Sequence, residues 1–164
     1  MENAITSAVE LAAYIKTYYR ENFKRDSISP IKLQKALYFC FAYWGSWIRK
    51  GKESAESIEI DISQYSEYLF NDRIEAWVYG PVVPAVYQAE KRGEINEINS
   101  EEYLKNNIFV KDYINELLDS VLRAGDFTLV EISHQDKAWI KNFDENSPIH
   151  NKEINKEEII REYV

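Results

Sequence analysis

One segment of this sequence predicts a helix that is apolar on every side. Ser29 and Pro30 form a helix start, because serine accepts a backbone N–H at the N-cap and proline fits the first helical position. The helix is predicted to run to about Lys50, and its middle, Ala36 to Trp44, carries no charged residue. A helix without a polar face is normally buried on all sides. We therefore expect the chain to fold around a buried central helix over about residues 30–50.

Other stretches show the three-and-four residue spacing that is typical of amphipathic helices. This spacing predicts helices over residues 4–22 and 108–124, and Gly125 is predicted to cap the second. Asp126 is predicted to cap a further helix, and Asn155 is predicted to cap a last short one. The fold class expected from these patterns is mainly α.

Between the central helix and the later helices the hydrophobic period changes to two. Residues 58–63 and 74–79 alternate apolar and polar side chains, which predicts two short strands. We interpret them as a small β-hairpin on one side of the helical domain. Gly80 to Pro84 then form a breaker cluster, in which Pro81 is predicted to open a short helix that Gly93 ends.

The size and composition of the chain indicate one globular domain. A length of 164 residues suits a single domain, 1–164, and a hydrophobic fraction of 45% argues against disorder. Cys40 is the only cysteine, so no intrachain disulfide is possible, and its apolar neighbours predict a buried thiol. No signal peptide is visible, and the apolar run is shorter than the about 18 residues of a membrane span. We expect a cytoplasmic protein without membrane contact.

The net charge limits the classes of partner. There are 28 acidic and 20 basic residues, which gives a formal charge of −8. An acidic surface repels phosphate backbones, so the charge argues against a free-standing nucleic-acid binder and suits a basic partner. Basic residues do cluster at Lys24 and Arg25, and at Arg49, Lys50 and Lys52. The second cluster falls at a predicted helix end, where cations complement the dipole.

Residue types that form active sites are few. His134 and His150 are the only histidines, and together with Cys40 they make a poor metal set. The sequence has neither a glycine-rich phosphate loop nor a dinucleotide-binding fingerprint. We therefore expect no catalytic residue, no metal and no cofactor, and a protein that is not an enzyme. The alternative is an enzyme that uses His134 with Asp136.

The group formed by His134, Gln135, Asp136 and Trp139 has two interpretations. It could be a recognition surface, since tryptophan is enriched in binding hot spots. Alternatively, His134 and Asp136 cap adjacent helix ends and Trp139 lies in the core, and the sequence favours this structural interpretation. Gly80 is likewise expected to serve a sharp change of chain direction.

Three segments of the sequence together resemble one family. They are residues 33–39, residues 74–87 with Glu-Ala-Trp-Val-Tyr-Gly-Pro at their centre, and residues 129–139 with Ser-His-Gln-Asp before the tryptophan. The terminal Pro148-Ile149 pair and residues 159–163 agree with it. The chain resembles the Panacea family of antitoxin domains, which are also called SocA-like or phage-associated GepA-like proteins.

The resemblance implies a mostly helical antitoxin that neutralises a cognate toxin by direct protein–protein binding. In the SocA-like branch the protein is a proteolytic adaptor that delivers its toxin to the ClpXP protease, and this is the alternative mechanism. A DNA-binding phage or transcriptional regulatory protein is the alternative from another class. That class would be expected to carry a basic recognition helix, and none is visible.

The resemblance also marks a set of signature residues, which are candidates for partner binding or for holding the fold. They are Gln34, Lys35, Trp77, Tyr79, Gly80, Pro81, His134, Gln135, Asp136 and Trp139. Gln34 and Lys35 on the central helix are expected to hydrogen-bond into the set. Its two tryptophans and its glycine are expected to hold the fold, whereas Tyr79, His134 and Gln135 are open between the two roles.

The sequence departs from the family pattern at two places. Residues 53–68 look inserted between the central helix and the Glu-Ala-Trp strand, and Ala138 replaces the proline that often precedes Trp139. The insertion leaves open which face of the domain meets a partner.

Overall fold

A computed structural model of the chain describes residues 3–23, 27–54 and 62–163. Within these ranges the fold is mainly α, as the sequence predicts, with seven α-helices and one small antiparallel sheet. The helices are α1 Ala8–Phe23, α2 Pro30–Glu53, α3 Pro84–Lys91, α4 Ile108–Val121, α5 Asp126–Ser133, α6 Lys137–Asn142 and α7 Lys156–Tyr163. None of the described helices is long and apolar enough to cross a membrane.

The predicted central helix is confirmed as α2. Its N-cap is Ser29, whose hydroxyl accepts a hydrogen bond from the backbone N–H of Lys32 at 3.1 Å. Every residue from Leu33 to Ala42 is buried, and Cys40 is fully buried as expected. The exception in the apolar run is Tyr43, which is 40% exposed. Helices α1, α4, α5 and α7 all pack against α2, which explains why most of its surface is apolar.

Helix α1 begins at Ala8, four residues later than predicted. Ser7 caps the helix: its hydroxyl accepts from the Glu10 backbone N–H at 3.1 Å and donates to the Glu10 carboxylate at 2.9 Å. The backbone N–H groups of residues 5–6 instead donate to the carbonyls of residues 68–69. The apolar spacing therefore continues past the cap into a segment that pairs with another part of the chain.

The sheet contains strands β1 Glu75–Trp77, β2 Gly80–Val82 and β3 Lys152–Glu153, in the order β2-β1-β3. Strand β1 confirms the second predicted strand. The first predicted strand is wrong where it can be compared: residues 58–61 lie outside the described residues, and Ile62–Gln64 form a 3₁₀-helix. Strand β1 pairs instead with the residues directly after it and with the segment before α7.

Two predicted helix boundaries are wrong. Pro81 does not open a helix but lies in β2, opposite Ala76, and α3 opens at Pro84. Strand β2 is at the edge of the sheet, where proline removes no donor that a further strand would need. Gly125 does not cap the end of α4 but is the N-cap of α5, so that Asp126 is the first residue of that helix rather than its cap.

The last helix follows the prediction closely. The Asn155 side chain accepts a hydrogen bond from the backbone N–H of Glu157 at 2.8 Å, and α7 begins at the residue after Asn155. Ile159 and Ile160 are fully buried. They place α7 against α2, so the C-terminal part of the chain closes the core around the central helix.

Candidate functional site

The signature residues meet at the hairpin of β1 and β2. Val78 and Tyr79 form its turn, and Gly80 follows with a φ of +108°. A Cβ on Gly80 would lie 2.5 Å from Ser133 Oγ and 2.9 Å from Lys35 Cε. Glycine is therefore required at position 80 for two reasons. It permits the positive φ, and its lack of a Cβ lets the hairpin lie against α2 and α5.

Two signature residues of α2 hold the inner side of the hairpin, as expected. The Lys35 ammonium donates to the carbonyl of Pro81 at 2.9 Å. The Gln34 amide makes two bonds with Val83, donating to its carbonyl at 3.2 Å and accepting from its N–H at 2.8 Å. Lys35 is only 1% exposed, and this burial lowers its pKa to about 7. The strand β2 is thereby attached to the core by side chains.

Two signature residues beyond the α5 C-terminus hold the outer side of the hairpin. The Trp139 indole donates to the carbonyl of Trp77 at 2.8 Å, and His134 Nε2 lies 3.0 Å from the carbonyl of Val78. The two rings stack, with their centroids 4.0 Å apart. Desolvation lowers the His134 pKa, which favours a neutral imidazole whose Nε2–H donates to the carbonyl.

Asp136 faces the core and does not pair with His134. Its carboxylate accepts hydrogen bonds from the hydroxyls of Tyr38 and Tyr163, the second at 2.7 Å. Burial raises its pKa. Asp136 occupies the N-cap position of α6 as predicted, but its side chain makes no cap hydrogen bond because it is turned towards the two tyrosines. The alternative hypothesis of an enzyme depends on a pair of His134 and Asp136. In the structure His134 contacts the carbonyl of Val78, and Asp136 contacts the two tyrosines.

The Trp77 ring is held by Glu75 of the same strand and by Tyr87 of α3. The Trp77 indole donates to the carboxylate of Glu75 at 2.8 Å, and this carboxylate also accepts from Arg73 at 2.6 Å. The Trp77 ring lies edge-on to Tyr87, with centroids 4.9 Å apart. The sequence analysis did not single out Glu75 as a partner. The signal was present, since residues two apart on a strand point to the same face.

Two signature residues face solvent. Gln135 is exposed, and Tyr79 is 54% exposed at the hairpin turn. The Tyr79 ring contacts Phe127, which is 61% exposed, and the neighbouring Val78 is 49% exposed. We call Val78, Tyr79 and Phe127 the hairpin-tip surface. Sequence reasoning missed Phe127, because its proximity to the turn depends on how α5 packs.

A cavity of about 330 Å³ lies beside the hairpin, and we call it the hairpin cavity. Its lining is largely apolar and includes Pro30, Ile31, Trp77, Val78, Val82 and Tyr87. Gln34, Lys35, Tyr79 and His150 complete the lining. His150 Nε2 is buried and has no hydrogen-bond partner among the described residues. Among all the described residues, including those that line this cavity, no group of three His, Cys, Asp or Glu side chains is placed to hold a metal ion.

Comparison with models of protein families gives a match over residues 59–140, which is half of the chain. The matching family model is described as antitoxin SocA-like, Panacea domain. The chain belongs to the Panacea family. No curated protein and no solved structure matches it significantly.

The family match covers the hairpin and the segment from α3 to α6, and so includes the signature residues from Trp77 to Trp139. It begins at residue 59, within the segment that the sequence analysis interprets as an insertion. Gln34 and Lys35 lie outside the matched stretch, and the structure connects them to it by hydrogen bonds to the hairpin of this Panacea domain.

Proposed function

We propose that this Panacea domain is an antitoxin that neutralises a cognate toxin protein by binding it directly at the hairpin-tip surface. The observation that carries the proposal is that the hairpin turn and α5 together present an apolar surface to solvent, formed by Val78 and Tyr79 of the turn and Phe127 of α5. Single exposed apolar residues are common on any protein, whereas adjacent ones mark interaction sites. Tyrosine is also among the residues that are enriched in binding hot spots.

Hydrogen bonds from other elements hold the hairpin, which favours a role in recognition. Three of its backbone carbonyls are bound by side chains: Trp139 binds the carbonyl of Trp77, His134 that of Val78, and Lys35 that of Pro81. A surface held in one conformation loses little conformational entropy when a partner binds. The buried signature residues would therefore act by holding the exposed ones in place.

The charge of the chain favours a basic partner. A net charge of −8 speeds the encounter with a positively charged protein and repels the DNA backbone. A toxin that binds nucleic acid or nucleotides through basic residues would suit this net charge. The association rate is then expected to fall as ionic strength rises, because salt screens the attraction.

The test is co-expression of the domain with the protein encoded beside it, scoring growth rescue and co-purification. The informative variant replaces both Tyr79 and Phe127 by alanine, since both are exposed and their loss leaves the core intact. The matched control is Ile108→Ala, which removes a 55% exposed apolar side chain from α4. We expect the control to rescue growth and form a complex, and the double variant to do neither while remaining folded.

Three other outcomes would contradict the proposal. Rescue that needs the host ClpXP protease and leaves no recoverable complex would indicate an adaptor that delivers the toxin for degradation. A complex that survives the double variant unchanged would place the toxin on another face. If the neighbouring protein is neither toxic nor bound, the direct-antitoxin proposal fails for that pair.

A further inference from the structure

The hairpin cavity contains a buried amine with unused hydrogen-bonding capacity. An ammonium group has three N–H donors. The Lys35 ammonium has one acceptor among the described residues, the carbonyl of Pro81. Buried lysines are normally paired with a carboxylate, because an isolated buried charge is costly. Lys35 is 1% exposed and lines the cavity without such a partner.

A second polar side chain that lines the cavity has an atom without a hydrogen-bond partner in the described part of the chain. His150 comes from the segment that precedes β3, far from Lys35 in the sequence, and lines the same cavity. Its Nε2 atom is buried and unpaired among the described residues. Two nitrogen-bearing side chains from separate parts of the chain thus converge on one apolar cavity.

The rest of the lining specifies the ligand chemistry. None of the described residues that line the cavity is acidic, although the whole chain carries a net charge of −8. Aromatic and aliphatic side chains, among them Trp77, Tyr87 and Ile31, form most of the wall. The volume of about 330 Å³ is at the lower end of the range for small-molecule sites. An apolar body of about one ring with a single anionic group fits these features.

We propose that the hairpin cavity is a binding site for a small apolar carboxylic acid, whose carboxylate is held by Lys35 and His150 and whose body contacts the apolar wall. The cavity shares Val78 and Tyr79 with the hairpin-tip surface. The proposal nevertheless does not rest on the toxin-binding proposal, because it requires no partner protein.

The proposal has a pH signature. Burial places the Lys35 pKa at about 7, and a bound carboxylate favours the ammonium form and raises this pKa. Binding above pH 7 must therefore take up protons, and affinity falls as pH rises. The other titratable side chains near Lys35 are His134, which acts on it from the end of α5, and His150, Tyr79 and Tyr87 in the cavity wall. The β2 residues against Lys35, Gly80 and Pro81, carry none.

The experiment is calorimetric titration of the whole chain with 3-phenylpropanoate, and with 3-phenylpropanamide as the uncharged match. We expect the acid to bind at least about tenfold more tightly, because charge-assisted hydrogen bonds are about twice as strong as neutral ones. Titration at about pH 7.5 in two buffers of different ionisation enthalpy should show net proton uptake by the protein.

Variants separate the site from general binding. Lys35→Met keeps a long apolar side chain and should remove both the preference for the acid and the proton uptake. Lys137→Met is the control, since Lys137 is exposed at the start of α6. His150→Phe should weaken acid binding. Ile31→Trp fills the cavity without altering Lys35 and should abolish acid binding. This variant tests the site even if circular dichroism shows that Lys35→Met does not fold.

The proposal is overturned by any of three results: no binding of the acid at about 10 mM, equal binding of acid and amide, or binding that survives both Lys35→Met and Ile31→Trp. A further arm uses a tetrapeptide that ends in phenylalanine with a free carboxylate. If the peptide binds and 3-phenylpropanoate does not, the cavity recognises a protein C-terminus and the small-molecule proposal is wrong.

Discussion

Gly80 and Gly93 both have a positive φ, +108° and +68°, but their surroundings differ. A Cβ on Gly80 would meet Ser133 and Lys35 at under 3.0 Å, whereas a Cβ on Gly93 would meet nothing within 4 Å. Alanine at Gly93 therefore suffers only backbone strain. Alanine at Gly80 suffers the same kind of strain and also pushes the hairpin away from α2 and α5.

We predict that Gly80→Ala lowers the free energy of unfolding by about 2–4 kcal/mol, the sum of backbone strain and overpacking. The matched variant Gly93→Ala should cost about 1 kcal/mol. Urea denaturation followed by circular dichroism measures both. Equal losses in the two variants would show that the close approach at Gly80 contributes nothing.

The pair of tyrosine hydroxyls on Asp136 gives a pH-dependent prediction. Burial raises the Asp136 pKa, so in the folded state its proton is held to a higher pH than in the unfolded chain. A group of this kind contributes stability below its unfolded pKa and loses it as pH rises through the folded value. The hydrogen bonds from Tyr38 and Tyr163 oppose the loss, because they stabilise the ionised form.

We predict that Tyr163→Phe raises the Asp136 pKa further and costs about 1.5–3 kcal/mol of stability at neutral pH. The cost should be smaller at about pH 4, because more of the Asp136 carboxyl group is then protonated in the folded protein and the lost hydrogen bond is to a neutral group. Urea titrations across this pH range measure it. Tyr19→Phe is the control, because its hydroxyl has no described hydrogen-bond partner, and it should change stability little at either pH. A cost for Tyr163→Phe that does not vary with pH would contradict this account.

At the scale of elements, the crossing of α2 with α7 depends on Gly45. A Cβ there would lie 2.6 Å from Ile160 Cγ1 and 2.8 Å from the backbone carbonyl oxygen of Glu67. Gly51, one and a half turns further along α2, would meet the end of the flexible Ile62 side chain at 2.7 Å. A backbone atom cannot move aside as a side-chain end can.

We predict opposite effects of two identical substitutions in the same helix. Gly51→Ala should be neutral or stabilise by up to about 1 kcal/mol, because alanine is the better helix former. Gly45→Ala should destabilise by about 1–3 kcal/mol despite that preference, since it overpacks the α2–α7 contact. Thermal unfolding of the two variants beside the unchanged chain checks the sign. If Gly45→Ala is also stabilising, α7 must be able to shift along α2.

The elements that the sequence predicted well are those whose signal is local. Helices α2, α4 and α7 follow from apolar spacing and caps, since the pattern of one segment is sufficient to define them. The sheet was harder, because a strand of three residues such as β2 has too few positions to show alternation. Its partner is chosen by packing between distant segments. The two-residue strand β3 carries no sequence signal of its own.

The same division holds for the candidate site. The hydrogen bonds of Gln34 and Lys35 with the hairpin were expected from the family resemblance, and the need for glycine at Gly80 was expected from the sequence. The tyrosines that bind Asp136 were not, because they come from α2 and α7 and meet it only in the folded chain. The convergence of Lys35 and His150 on one cavity has the same origin.

At the scale of the whole molecule, the hairpin and the helices share hydrogen bonds rather than merely touching. Gln34 and Lys35 attach β2 to α2, and Trp139 attaches the end of β1 to α6. Strand β3 continues into the segment that leads to α7, which packs on α2. Because these connections join the hairpin to α2 directly and to α6 and α7 around it, we propose that 1–164 unfolds as one domain.

This proposal predicts coincident unfolding transitions from two groups of tryptophans. Trp44 and Trp47 lie on α2, whereas Trp77 and Trp139 report on the hairpin. In a variant with phenylalanine at Trp77 and Trp139, fluorescence follows the central helix, and in the complementary variant it follows the hairpin. Within each variant, the fluorescence and far-UV circular dichroism midpoints in urea should agree, as a two-state transition requires. A hairpin signal that is lost before the helical signal would mean that the hairpin unfolds separately, and the shared hydrogen bonds would then be too weak to make one cooperative unit.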